Sequence, residues 1–292
     1  MHPAPSVILF SVLSGLGFGF LGYLGLGVIA ATGWAAFGLW GLGYGFAVIG
    51  LLAATFHLGN PQRALLAFTQ WRSSWLSREA WAAVAALVLL APVAAGAWLG
   101  FGVPRAVGVL GAILSLATVG CTSMIYAQLR TVPRWNHWSV PATFLGFALT
   151  GGAILAGSPG PAALLCVGLG ALLSYGFVAG DGRFAARGST LGTATGLGHI
   201  GQPSVFEQPH TGGNYLLREM VFTVGRKHAV KLRVIAVVAA ALLPALILMI
   251  LPAGLIGVAL ATTCHLIGAL AARWLFFAEA EHVVGLYYGA RV

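Results

Sequence analysis

The chain has 292 residues, of which 59% are hydrophobic and only 7% charged, and its formal net charge is +9. A mean hydropathy of +0.92 leaves too little polar surface for a soluble protein and excludes a globular soluble enzyme. The basic excess would suit a nucleic-acid partner only as a concentrated patch; it is dispersed among loops between apolar runs, so no nucleic-acid partner is expected.

A helix that crosses a bilayer needs roughly 20 apolar residues. Counting uncharged runs by that measure predicts an all-α integral membrane protein, with helices at roughly 6–31, 38–57, 77–100, 105–127, 138–157, 160–180, 230–252 and 254–280. The expected fold is an eight-transmembrane-helix bundle forming a single polytopic domain over residues 1–292. The N-terminal "MHPAPSVILF" has no Lys or Arg before its apolar run, and the run is too long for a signal-peptide core, so it is read as a retained first helix. Within that run, "LSGLGFGFLGYLGLG" places Gly15 and Gly19 in a GxxxG pattern suited to close helix approach. It also spells GxGxxG at Gly17, Gly19 and Gly22. Without a preceding strand this is no dinucleotide fingerprint.

The connections alternate in length. "ATGWAAFG", "FGVP", "SPGP" and "PAGL" are short, and on their side of the membrane Arg105 is the only basic residue. The 2/3, 4/5 and 6/7 connections and their flanks hold Arg63, Arg72, Arg78, Arg130, Arg134, Arg183, Arg187, Arg218, Arg226, Lys227, Lys231 and Arg233, with Arg291 after the last helix. Basic loops stay inside, so both termini and all three long loops are expected on the cytoplasmic side of a bacterial inner membrane. The longest connection, 181–229, is read as a cytoplasmic docking loop, with Arg226, Lys227 and Lys231 as partner-docking charges.

Polar chemistry concentrates in "FHLGNPQRALLAFTQWRSSWLSREAW", residues 56–81. His57 falls at the end of helix 2, Gly59, Asn60 and Pro61 form a turn, Ser77 is expected to cap helix 3, and Glu79 to lie in its first turn. Two readings are open. In the first, Glu79 answers the helix dipole, while Trp71 and Trp75 anchor the headgroup belt. In the second, the stretch is a quinone site: an apolar slot with a proton-exchanging histidine and carboxylate at headgroup depth.

Cys121, Cys166 and Cys264 each stand alone within a span, so no metal centre and no iron–sulfur cluster is expected in this chain. His265 is the only histidine well inside a span, which does not make the facing pair that a haem needs; it is read as a core residue or part of a quinone pocket. Tyr126 and Gln128 close helix 4 and are candidates for lining a headgroup pocket. Arg273 is expected to snorkel to the interface, and Glu279, Glu281 and His282 to form an interfacial polar face. A secondary transporter is disfavoured because its polar groups belong near the midplane.

The pattern "HLGxPxRA…WRxSWLSRE", carried here by His57, Leu58, Gly59, Pro61, Arg63, Ala64, Trp71, Arg72, Ser74, Trp75, Leu76, Ser77, Arg78 and Glu79, resembles the membrane anchor subunits of the dimethyl sulfoxide reductase type, the DmsC-like family. The C-terminal "RWLFFAEAEHVVGLYYG" is similar too, and "NYLLREMVFTVGRKHAVKLR" looks closer to the sulfite-oxidising branch. The resemblance implies an anchor that exchanges electrons between menaquinone or ubiquinone and an iron–sulfur subunit, itself docked to a molybdopterin catalytic subunit. It implies His57 and Glu79 as the quinol-reacting pair, with Arg63, Arg72 and Arg78 holding the partner or the reduced headgroup. A purely structural tether is the alternative.

Overall fold

The computed structural model describes residues 2–56, 59–207, 228–251 and 254–288; among them every regular element is a helix. Seven helices are long and apolar enough to cross a membrane: α1 (Pro5–Gly25), α2 (Gly33–Thr55), α3 (Trp75–Leu99), α4 (Arg105–Ala127), α6 (Pro159–Asp181), α7 (Ala229–Ile250) and α8 (Leu255–Ala278). Between α4 and α6 lies α5 (Ser139–Leu155), apolar but only 17 residues long. At about 1.5 Å per residue it spans roughly 26 Å, short of a ~30 Å hydrocarbon core. The expected eight spans are thus seven of full length and one short helix.

The first two boundaries shift from expectation. α1 stops at Gly25 rather than near 31 because the chain turns at Gly27, whose φ of 72° lies in the left-handed region. α2 starts five residues early, at Gly33, since nothing in "GWAAFG" interrupts a helix.

α1 is the central helix, packed against α2, α4, α5 and α8 with Phe18, Phe20 and Leu21 fully enclosed. Its close crossings rest on small residues. Gly17 lies against the Ala47 backbone of α2, and Gly19 against the Ala148 carbonyl of α5, where a Cβ would collide. Gly15, the other half of the predicted GxxxG, meets open space and makes no crossing.

α7 carries one π-helical turn, Val238–Leu242. The cause is local: Pro244 has no N–H to give the carbonyl four residues back, that of Ala240. The freed carbonyl is taken by the His265 Nδ1 of α8 at 2.8 Å, and Gly268 lets α8 approach the Ala240 backbone closely.

One end of the bundle is closed by charge. Arg134 of the 4/5 connection binds Asp181 (3.0 Å) and Glu279 (2.5 Å), and Arg233 of α7 binds the same two carboxylates (2.5 and 2.7 Å). Four segments are tied at one end, so the 4/5 connection, the C-terminus of α6, the start of α7 and the C-terminus of α8 share one face.

Candidate functional site

Helix α3 begins earlier than expected, and that changes what Glu79 can do. The N-cap is Ser74, whose hydroxyl accepts from the Ser77 N–H, so Ser77 lies inside the helix. Glu79 is therefore in the second turn, and no acidic residue occupies the first. It does not answer the helix dipole; it turns inward and is only 3% exposed. The side chain falls on the buried stripe Glu79, Ala83, Ala86 and Leu90, spaced as one helix face.

Inside the bundle Glu79 meets Thr122 of α4, whose hydroxyl lies 2.5 Å from Oε1 and 3.0 Å from the Thr118 carbonyl. One hydroxyl proton cannot serve both. When it goes to Glu79, the carboxylate is the acceptor; when it goes to Thr118, the hydroxyl oxygen can accept from a protonated carboxyl. The pair accommodates either state of Glu79. Among the described residues no cation is ion-paired with it, and an ionisable group so placed within a span is costly unless it has a task.

The rest of the predicted cluster divides. His57 lies outside the described residues. Arg63, on the 3₁₀ helix Pro61–Phe68, is exposed, as are Trp71 and Arg72, which stack on one another. Arg78 holds the loop together: it donates to the Trp71 and Arg72 carbonyls at 2.9 and 2.6 Å and covers the Trp75 ring. Trp81, which the sequence does not single out, donates to the Phe68 carbonyl. These loop groups stand on the surface, whereas Glu79 is inside.

Tyr126 follows Thr122, the partner of Glu79, by one turn on the same face of α4. Tyr126 sits in an aromatic box of Trp135, Phe276, Phe277 and Phe144, with ring centroids 5.2 to 5.9 Å away. Arg273 does not snorkel. It is 4% exposed, its guanidinium carbon lies 3.3 Å from the Phe144 ring centroid, and among the described residues it has no carboxylate and no hydrogen-bond acceptor. The helical repeat of α8 explains why: His265, Ala269 and Arg273 follow one another at every fourth position on its buried face.

Two cavities flank Arg273. One of about 70 Å³ lies between α5, α6 and α8, and one of about 20 Å³ lies between α1, α5 and α8 and reaches His265. His265 Nδ1 donates to the Ala240 carbonyl, the ring also meets the Phe147 backbone, and Gly151 leaves room for it, since a Cβ there would come within 3.1 Å of Nε2. None of the lining groups of these two cavities is Glu79. A third cavity, about 160 Å³, sits on the ion-paired cluster.

That cluster corrects another expectation. Glu279 is not on an interfacial face but 8% exposed, bound by both arginines. Arg134 and Arg233 are both paired within this network. Gly180 makes room for it, since a Cβ there would come within 2.8 Å of the Arg134 guanidinium carbon. Arg226 and Lys227 lie outside the described residues, and Lys231 is exposed at the start of α7. Among the described residues no group of three or more His, Cys, Asp or Glu is placed to hold a metal.

Comparison with known proteins bears on the whole arrangement. The model of the DMSO reductase anchor subunit (DmsC) family matches residues 7–165, which include Glu79, Thr122 and Tyr126. A sulfite dehydrogenase subunit from Allochromatium vinosum is 34% identical over 329 aligned residues, 99% of each chain, and so extends the likeness through α8. No solved structure matches. A bundle of apolar helices, a family match over more than half of its length and a relative aligned from end to end agree: this multi-pass membrane protein belongs to the family of DMSO reductase anchor subunits.

Proposed function

We propose that the chain is the anchor and quinone-reacting subunit of a molybdopterin oxidoreductase complex of the inner membrane. It passes electrons between the quinone pool and a docked iron–sulfur subunit, on the cytoplasmic side where the basic loops place the docking surface. The observation that carries this reading is Glu79: a carboxyl buried inside the helices, with no ion-paired cation among the described residues, on a hydroxyl that serves either protonation state. Reducing a quinone consumes two electrons and two protons, and the protons need a group that can hold and release one away from bulk water. Glu79 takes that role, with His57 as its second proton group.

Of the two directions, quinone reduction is favoured because the full-length relative is named a sulfite dehydrogenase subunit. Sulfite and water would give sulfate, two protons and two electrons at the catalytic subunit, and quinone would take the electrons here. The test is purification in mild detergent with its co-purifying subunits, followed by sulfite-dependent reduction of a soluble quinone analogue. Activity with an artificial carrier but with no quinone analogue would reduce the chain to a structural tether.

Two further results are expected. The purified chain should show no Soret band, because no pair of histidines faces across the spans in the sequence; a stoichiometric haem b spectrum would overturn this and make His57, His265 and His282 candidate ligands. Charge reversal at Arg226, Lys227 and Lys231 together should release the soluble subunits, because like charges brought face to face oppose docking. A fully assembled complex from that variant, at wild-type yield, would remove these residues from the docking surface.

A further inference from the structure

Arg273 is a cation with no counterion among the described residues. It is buried within a span, where a lone charge is costly, and an ionisable residue so placed most often faces a ligand or a partner group. The nearest carboxylate on its own helix end, Glu279, is already held by Arg134 and Arg233. The guanidinium borders a cavity of about 70 Å³ whose other walls include four rings, Phe144, Phe147, Phe177 and Phe276, among smaller apolar residues. Thr143 and Ser139 add hydroxyls, and the ion-paired Arg134 and Glu279 close one side.

These walls select a chemistry. Flat apolar faces suit a flat conjugated ring, and a planar fork of N–H donors suits an acceptor oxygen on its edge. Glu279 and Arg134 line the same cavity but are paired with each other, which leaves Arg273 as its donor without an ion pair among the described residues. A ring carbonyl is an acceptor that suits that donor. The volume fits the carbonyl edge of one ring, with the remainder of the molecule in the open mouth.

We propose that this cavity is a binding site for the quinone ring, with Arg273 donating to a ring carbonyl and the phenylalanines holding its faces. The proposal rests on the quinone reading above and gives it a place that residues 57–79 do not. Tyr126 packs against Phe144 and Phe276, at 5.9 and 5.3 Å between ring centroids. A ring in the cavity would lie against rings that touch Tyr126, and Tyr126 stands one turn of α4 from Thr122, the partner of Glu79, so Tyr126 lies between the site that binds the ring and the carboxyl that exchanges its protons.

A photoreactive quinone analogue, applied to the wild-type complex in mild detergent and mapped by peptide mass, tests this without any mutation. Label on α5 or α8 near residues 143–147 or 272–276, competed by excess unreactive quinone, is the expected result. Competed label confined to residues 57–79 would overturn the Arg273 site while leaving the quinone reading intact. No competed label anywhere would overturn both. In assembled variants, Arg273→Gln should raise the dissociation constant of a quinone analogue roughly 10-fold to 100-fold, the effect of losing a charge-assisted hydrogen bond, and Arg273→Lys should restore part of it. Unchanged affinity in Arg273→Gln would contradict the proposal; should that variant fail to assemble, the labelling map decides.

Discussion

Replacing Glu279 with Gln should destabilise the protein by about 3 kcal/mol or more, the range for removing one partner of a buried ion pair. The side chain is 6% exposed and receives Arg134 Nη2 and Arg233 Nε on its two oxygens. An uncharged amide there leaves two guanidinium groups facing each other, with Asp181 as their remaining carboxylate in this network. Asp181→Asn is the matched comparison. Its carboxylate side chain is 52% exposed, so solvent already screens its pairs, and about 1 kcal/mol is expected. Thermal unfolding in detergent checks both: a drop of roughly 6–12 °C for Glu279→Gln and a few degrees at most for Asp181→Asn. Equal shifts would mean that the four segments are held by helix packing and that the network adds little.

The helices are legible in the sequence because hydropathy reports length and apolarity directly: helices lie within a few residues of the expected bounds except at the α1–α2 turn, although only seven of the eight expected spans are long enough to cross a membrane. Gly27 ends α1, but it is one glycine among many in that run, so nothing in the sequence distinguishes it. The inward or outward direction of a side chain is less accessible. A cap at Ser77 would put Glu79 in a first turn; Ser74, two residues after Arg72, caps instead and rotates the carboxyl into the bundle.

Depth along α8 suggests a snorkelling Arg273, and depth is the wrong coordinate. Its spacing from His265, two steps of four residues, puts it on the face that packs against α1 and α5, and that spacing is visible in the sequence. Glu279 cannot be found this way, because its partners Arg134 and Arg233 come from segments 145 and 46 residues away. The freed Ala240 carbonyl, by contrast, follows from Pro244 alone; only its taker, His265, needs the tertiary structure.

The largest functional effect is expected at Glu79. Glu79→Gln keeps the size of the side chain and a hydrogen bond to Thr122 but removes the group that holds and releases a proton. His57→Phe removes the second proposed proton group while keeping a ring. If these residues exchange protons with the quinone, electron transfer to a quinone analogue should fall roughly 10-fold to 1000-fold, the range for loss of a positioned acid–base group. A carboxyl serving only as the packing partner of Thr122 would instead cost stability, about 1 kcal/mol for the altered hydrogen bond, and leave turnover per assembled complex untouched. The two are separated by one ratio in the purified complex: quinone-linked activity divided by activity with an artificial soluble carrier that bypasses this chain. With Glu79 on the path of the proton, that ratio falls at least ~10-fold in Glu79→Gln while the complex still assembles; a ratio equal to wild type would contradict this role and remove Glu79 from the path.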